Sequence, residues 1–309
     1  MKTCYLHLGM PKTGSTSIQE AFFRYDKNGL SYAKLNEKNH GLPLAAIFSK
    51  NPKKLREFSW RETPFDEINE TIKRMHRQVQ RCFVGNKSII FSGEAIIDQL
   101  DNLEFDNLVK TMKDNFDKVV AIIYVRPLAS MVSSQVQQRI RMGQNDFKLP
   151  LPQYRKRIEP VVKNFNREDI ILTRFDKDNL IGGDIVTDFA QRIGIEESPK
   201  SNIKTNETLS SEALGALLAF NRFSAPLLRP KERTKIRRQM DTMLKGIGKI
   251  KFGISTDLVK EHISSNIDDI SWAENICGFD LRGEIKSVPN PISNYEQLVD
   301  LAYSFKNSQ

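Results

Sequence analysis

A short apolar segment, Cys4 to Leu8, runs straight into Gly9-Met10-Pro11-Lys12-Thr13-Gly14-Ser15-Thr16-Ser17. The next residues, Ile18, Ala21, Phe22 and Tyr25, share one helical face. A buried strand that turns through glycines into a helix presents free backbone N–H groups and the positive end of a helix dipole to an anion. The chain must fold so that this junction sits at a sheet edge. Three further apolar runs follow: Ser88 to Phe91, Val119 to Val125 and Ile170 to Phe175. Their apolarity is continuous rather than alternating, which predicts strands covered on both faces. The expected fold class is α/β, a central parallel sheet flanked by helices.

Segments of helical period separate the runs. The clearest has Thr63 as expected N-cap, Pro64 at the first helical position and an apolar stripe of Ile68, Ile72, Met75, Val79 and Cys82. Asp184 to Ile193 reads as a helix closed by Gly194. Beyond it the strands stop. Ser210 to Arg222, Lys231 to Leu244, Thr256 to Ser265 and Asn294 to Ser304 all carry helical patterns. We therefore expect an α/β core over residues 1–205 and a helical C-terminal region over 206–309, packed together as one continuous domain.

Composition narrows the partners. Eighteen Phe and 39% hydrophobic residues exclude a disordered chain. The longest apolar run is far shorter than the roughly 20 residues of a membrane span, and the first ten residues lack a signal-peptide apolar region. Cys4, Cys82 and Cys277 are widely spaced with no CxxC, so a disulfide framework is not expected and a reducing cytoplasm is. Lys and Arg number 47 against 38 acids, a net charge of +9. That sign predicts an anionic partner: nucleic acid, anionic lipid, acidic glycan or a phosphorylated cofactor.

Gly9 and Gly14 have the GxxxxG spacing of a Walker A loop, yet Ser15-Thr16 stand where Lys-Ser/Thr would follow. The lysine lies inside the loop instead, at Lys12. There it sits low, beside a cradled phosphate, and is not set up for Mg²⁺-nucleotide chemistry. Pro11 to Thr16 is similar to the loop with which sulfotransferases hold the 5′-phosphosulfate of PAPS (3′-phosphoadenylyl sulfate). A second match lies after the third long run, where Arg126 follows Val125 and Ser134 comes eight residues later. In sulfotransferases an arginine and a serine at that spacing hold the 3′-phosphate. Asn39 to Ala45, Ser92-Gly93-Glu94, Ser134 to Gln138, Gly182 to Gly194 and Asn206 to Ser210 resemble further segments of bacterial, soluble, carbohydrate-type members. The chain departs from the family at Pro127-Leu128 and at Ser17, and it lacks the glycine-rich C-terminal motif of small-molecule sulfotransferases.

The resemblance implies sulfuryl transfer from PAPS to a hydroxyl of a carbohydrate or glycolipid. It implies cofactor contacts from Lys12, Thr13, Gly14, Ser15, Thr16, Ser17, Arg126 and Ser134. Lys12 would stabilise the leaving phosphate. No metal is expected, since the four histidines form no HxxxH pair. The acceptor proton needs a base, for which Glu94 and His40 are the two candidates. Two other readings stay open: a Mg²⁺-dependent P-loop kinase, and a non-enzymatic anion or nucleic-acid binder. The basic run within Arg229 to Lys251 lacks interleaved aromatics, and no nucleic-acid partner is expected. No membrane span is expected either, and peripheral membrane contact stays open.

Overall fold

The computed structural model describes residues 1–61, 63–94, 96–199 and 208–306. The expected boundary at 205/206 lies outside the described residues. In chain order the first elements are β1 (Thr3–Gly9), α1 (Ser15–Phe22), β2 (Asp26–Lys27), β3 (Leu30–Tyr32), α2 (Gly41–Phe48) and α3 (Arg56–Arg61). Then come α4 (Phe65–Phe83), β4 (Ser88–Glu94), α5 (Ile96–Gln99), α6 (Asn102–Asn115) and β5 (Lys118–Val125). The remainder holds α7 (Leu128–Arg141), α8 (Tyr154–Asn164), β6 (Ile170–Arg174), α9 (Ile185–Arg192), α10 (Ser211–Ala219), α11 (Pro230–Met243), α12 (Thr256–Ser265), α13 (Ile267–Cys277) and α14 (Tyr295–Lys306).

Two compact units emerge. The first comprises Met1–Arg126, Gln153–Ile203 and Asn275–Phe279; the second comprises Pro127–Pro152, Lys204–Glu274 and Asp280–Gln309.

The first unit is the α/β body, with a six-stranded sheet of order β2-β3-β4-β1-β5-β6. Every pairing is parallel except β2 with β3. After β1 the chain moves to one side of the sheet and after β5 to the other. Open α/β sheets bind ligands at such a switch point, outside the carboxyl ends of the strands. Those ends are Gly9 and Val125. Strands β1, β4 and β5 are buried along nearly their whole length, as their unbroken apolarity requires. Ile18 and Phe22 of α1 join Ile185, Val186 and Phe189 of α9 in one cluster with Ile90, Ile122 and Tyr124 of the sheet. Each such side chain stabilises the fold by about 1.5–3 kcal/mol when fully buried, so α1 is held firmly where its loop must end.

Three local expectations change. Helix α4 starts at Phe65 with Pro64 as its N-cap, one residue later than the sequence pattern suggests. The hairpin β2–β3 was not expected, because its strands are too short to show a pattern. Its signal is Asn28-Gly29, whose φ values of 50° and 73° suit a tight turn. Strand β4 continues through Ser92-Gly93 to Glu94, since those residues keep pairing with His7, Leu8 and Gly9.

In the second unit α10 packs closely on α14: a Cβ on Gly215 would collide with the Leu298 carbonyl. Arg141 on α7 binds Asp241 on α11 through Nε at 2.5 Å and Nη2 at 2.8 Å. No helix among the described residues is long and apolar enough to cross a membrane.

Candidate functional site

The loop after β1 is the centre of the site. Its backbone is left-handed at Lys12 (φ 62°) and at Gly14 (φ 75°), the turn conformation in which successive N–H groups converge on an anion. At Lys12 that conformation costs about 1–2 kcal/mol, because lysine carries a Cβ. Two contacts hold it there. Arg126 Nη1 donates to the Lys12 carbonyl at 3.0 Å, across the switch point from β5. Thr13, fully buried, donates its hydroxyl to the Met10 carbonyl at 2.8 Å. Gly14 has both a positive φ and close walls, since a Cβ there would meet Ile185 and Phe175 at 3.2–3.3 Å.

Helix α1 opens from Gly14, whose carbonyl accepts from the Ser17 N–H at 2.9 Å. The Ser15 hydroxyl is buried at this helix start without a protein partner. A buried polar atom left this way normally has a ligand or water to satisfy it. Thr16 is exposed and Ser17 half-buried on the first turn.

Glu94 stands directly opposite Gly9 in the β1–β4 register. A Cβ on Gly9 would collide with Ser15 Oγ and stand 3.0 Å from Glu94 Cγ, so glycine at position 9 keeps the carboxylate close to the loop. Burial pushes the Glu94 carboxyl above the usual carboxylate range, against the opposing pull of the Arg56 charge, the Thr16 hydroxyl and the Lys12 charge.

Asn39 and His40 explain how Glu94 is held. Asn39 Oδ1 accepts from the Glu94 N–H at 3.2 Å and from the Gly41 N–H at 2.8 Å. His40 Nδ1 accepts from the Ser92 N–H at 3.1 Å, and the His40 N–H donates to the Ser92 carbonyl at 2.8 Å. The imidazole is fully buried, lies 4.5 Å from the Tyr32 ring, and has its pKa pushed down by burial to about 3. It is thus a neutral core group sealed from solvent. Two glycines permit this interlock: a Cβ on Gly93 would lie 2.8 Å from the Gly41 nitrogen. His7 is likewise buried, with Nδ1 2.8 Å from Ser92 Oγ.

Arg126 closes β5. Its carbonyl accepts from the Tyr154 hydroxyl at 2.6 Å, and its guanidinium lies 5.6 Å from the Phe175 ring centre. Burial lowers its pKa from the usual arginine value, and a desolvated cation of this kind gains most from an arriving anion. Arg126 Nη1 thus meets the loop at the Lys12 carbonyl. Ser134 lies in the other unit, half-buried on α7. On the same helix the Ser130 hydroxyl donates to the Pro127 carbonyl at 3.0 Å.

No protein-family model and no curated protein matches the chain. Among solved structures, a sulfotransferase from Alicyclobacillus acidocaldarius is similar over 90% of this chain and 96% of its own, at 13% identity and a TM-score of 0.44. So low an overlap says nothing of activity. The functional reading rests on the residues themselves.

Three residues to which the sequence alone assigns no role matter here. Asn39, Arg56 and Tyr154 all reach the site or its supports, yet none stands in a motif with its own chemistry. Beside Arg56 a groove of about 590 Å³ is lined by Lys50, Asn51, Lys54, Asp98 and Gln99, among others. Its acids are occupied: Asp98 pairs with Arg157 at 2.8 Å, and Glu104 accepts from the N–H of Lys50 and of Asp101. Among the described residues no group of His, Cys, Asp and Glu is arranged to hold a metal ion.

Proposed function

We propose that this chain is a PAPS-dependent sulfotransferase acting on a hydroxyl acceptor, a carbohydrate or glycolipid. The observation that carries the reading is Lys12 inside the glycine loop with Glu94 across the β1–β4 register, close enough for the lysine charge to act on the carboxyl. The unpartnered Ser15 hydroxyl and the left-handed loop fit a bound phosphosulfate. Lys12, Gly14, Ser15, Thr16 and Ser17 would hold its 5′ end, and Arg126 its 3′-phosphate. Thr13 serves the same loop by bracing it. When bound, PAPS supplies the sulfuryl group and departs as PAP.

Lys12 neutralises the charge that grows on the bridging oxygen as the phosphate–sulfuryl bond breaks, and the loop N–H groups disperse the rest. Glu94 takes the acceptor hydroxyl proton as the new oxygen–sulfur bond forms. A carboxyl held above its ordinary range is better matched to that task near neutrality than a fully solvated one. His40 acts through Glu94, by fixing the end of β4. The groove beside Arg56 is the proposed acceptor seat, open to a polar, hydroxyl-rich molecule. A Mg²⁺-dependent kinase would want a lysine after Gly14, where the chain has Ser15.

Incubation with ³⁵S-labelled PAPS and fractionated cell extracts tests the reading. Labelled product should form with the native chain and be absent with Lys12→Ala. Label transfer at equal rates by both proteins would remove Lys12 from the chemistry. No transfer to any fraction, with PAP failing to bind, would remove the activity altogether.

A further inference from the structure

The chain's positive charge is concentrated far from the loop in sequence. Between Arg222 and Lys251 stand ten Lys and Arg against two acids, Glu232 and Asp241, so this segment carries +8 of the net +9. Its centre is α11, which has no buried residue. At 14 residues the helix is about 21 Å long. Lys231, Lys235, Arg238 and Thr242 recur every three or four residues, fall within about 40° of one line along the helix, and are all exposed. The opposite face anchors the helix to its own unit. Asp241 is paired with Arg141, and the Arg237 guanidinium lies close against Gly143. Among the described residues, no acidic partner is present for Lys231, Lys235 or Arg238.

Large apolar side chains flank the basic stripe at both ends. Before α11, Phe223 is 58% and Leu227 is 86% exposed; at and after its end, Met243 is 73% and Ile247 is 38% exposed. Phosphodiester or polysaccharide ligands would satisfy the cations and leave these four side chains in water. A bilayer satisfies both, the headgroups meeting the cations and the acyl boundary taking the apolar side chains. Charge complementarity then selects anionic lipid over neutral lipid.

We propose that the segment from Phe223 to Ile247 is a docking surface for an anionic lipid bilayer, with α11 lying along the headgroups. Leu227 and Met243 enter the boundary at either end, while Lys231, Lys235 and Arg238 neutralise headgroup phosphates and carboxylates. The docking is peripheral and reversible, and weakens with salt because exposed cations carry it.

Co-sedimentation of the full chain with vesicles tests this. The probes are phosphatidylcholine alone and phosphatidylcholine with about a quarter phosphatidylserine. The chain should partition to the second and remain in solution with the first. The triple reversal Lys231→Glu, Lys235→Glu, Arg238→Glu should weaken binding at least about tenfold. Leu227→Ser with Met243→Ser should weaken it while leaving all the charge in place. Circular dichroism of each variant establishes that it is folded, and raising salt on the unaltered chain gives the same test without substitution. Equal partition to both vesicle types, or undiminished binding by the triple variant, would overturn the proposal. So would tighter binding to random duplex DNA than to the anionic vesicles with Leu227→Ser and Met243→Ser having no effect.

Discussion

In the proposed reaction Lys12 has two tasks that a substitution can separate: its backbone shapes the loop and its ammonium serves the chemistry. Lys12→Ala keeps the Cβ and the Arg126 contact with the carbonyl, so the loop should survive. We expect turnover to fall about 10²–10³-fold, the usual loss for one transition-state donor, with PAP affinity changed far less. Single-turnover kinetics beside a PAP titration measure both. Glu94 offers a second separation. Because burial raises its pKa, the native state holds the Glu94 proton more tightly than the unfolded chain does. Its stabilising contribution is therefore full below the unfolded carboxyl pKa and lost as pH rises through the raised one. At neutral pH the ionised carboxyl costs stability. Glu94→Gln should thus melt at an equal or higher temperature than the native chain while losing turnover and the rising acidic limb of the pH–rate profile. A lower melting temperature with that limb intact would deny Glu94 the role of base.

At the scale of elements, the end of β4 and the start of α2 work as one clamp. Asn39→Ala removes the acceptor of the Glu94 N–H, and we expect kcat to fall with PAP affinity unchanged and Asn39→Asp to restore much of it. Gly93→Ala would force a Cβ to 2.5 Å from Ile96 Cδ1 and 2.8 Å from the Gly41 nitrogen, costing about 1–3 kcal/mol in denaturant melts. This clamp was only partly legible in the sequence. Asn39-His40-Gly41 and Ser92-Gly93-Glu94 each stood out singly, but nothing in one dimension says that two segments 52 residues apart exchange hydrogen bonds. His40 shows why: its residue type suggests a base, and only the fold reveals that its ring is buried and accepts from the Ser92 N–H. The four long strands were legible because a strand covered on both faces has no polar alternation to obscure it. The hairpin β2–β3 was not, being held by its turn and by pairing with β4 more than by its own pattern. Helix α13 was not expected either.

For the whole molecule, the charge of +9 divides into two stories. A few cations at the carboxyl edge of the sheet, chiefly Lys12 and Arg126, belong to the phosphate loop and its neighbour strand. Nearly all the net excess belongs to the Arg222–Lys251 segment, so salt should weaken vesicle docking steeply and PAP binding much less. What composition cannot report is distribution: 47 bases spread evenly would have given the same sum. On the proposed function the loop holds a 3′-phosphorylated nucleotide without a metal. Isothermal titration with PAP, with ADP and with ATP, each with and without Mg²⁺, tests it most directly. PAP should bind without Mg²⁺ at least about tenfold more tightly than ADP, and Arg126→Ala should remove most of that margin. Binding of ATP only when Mg²⁺ is present, with PAP inert, would contradict it.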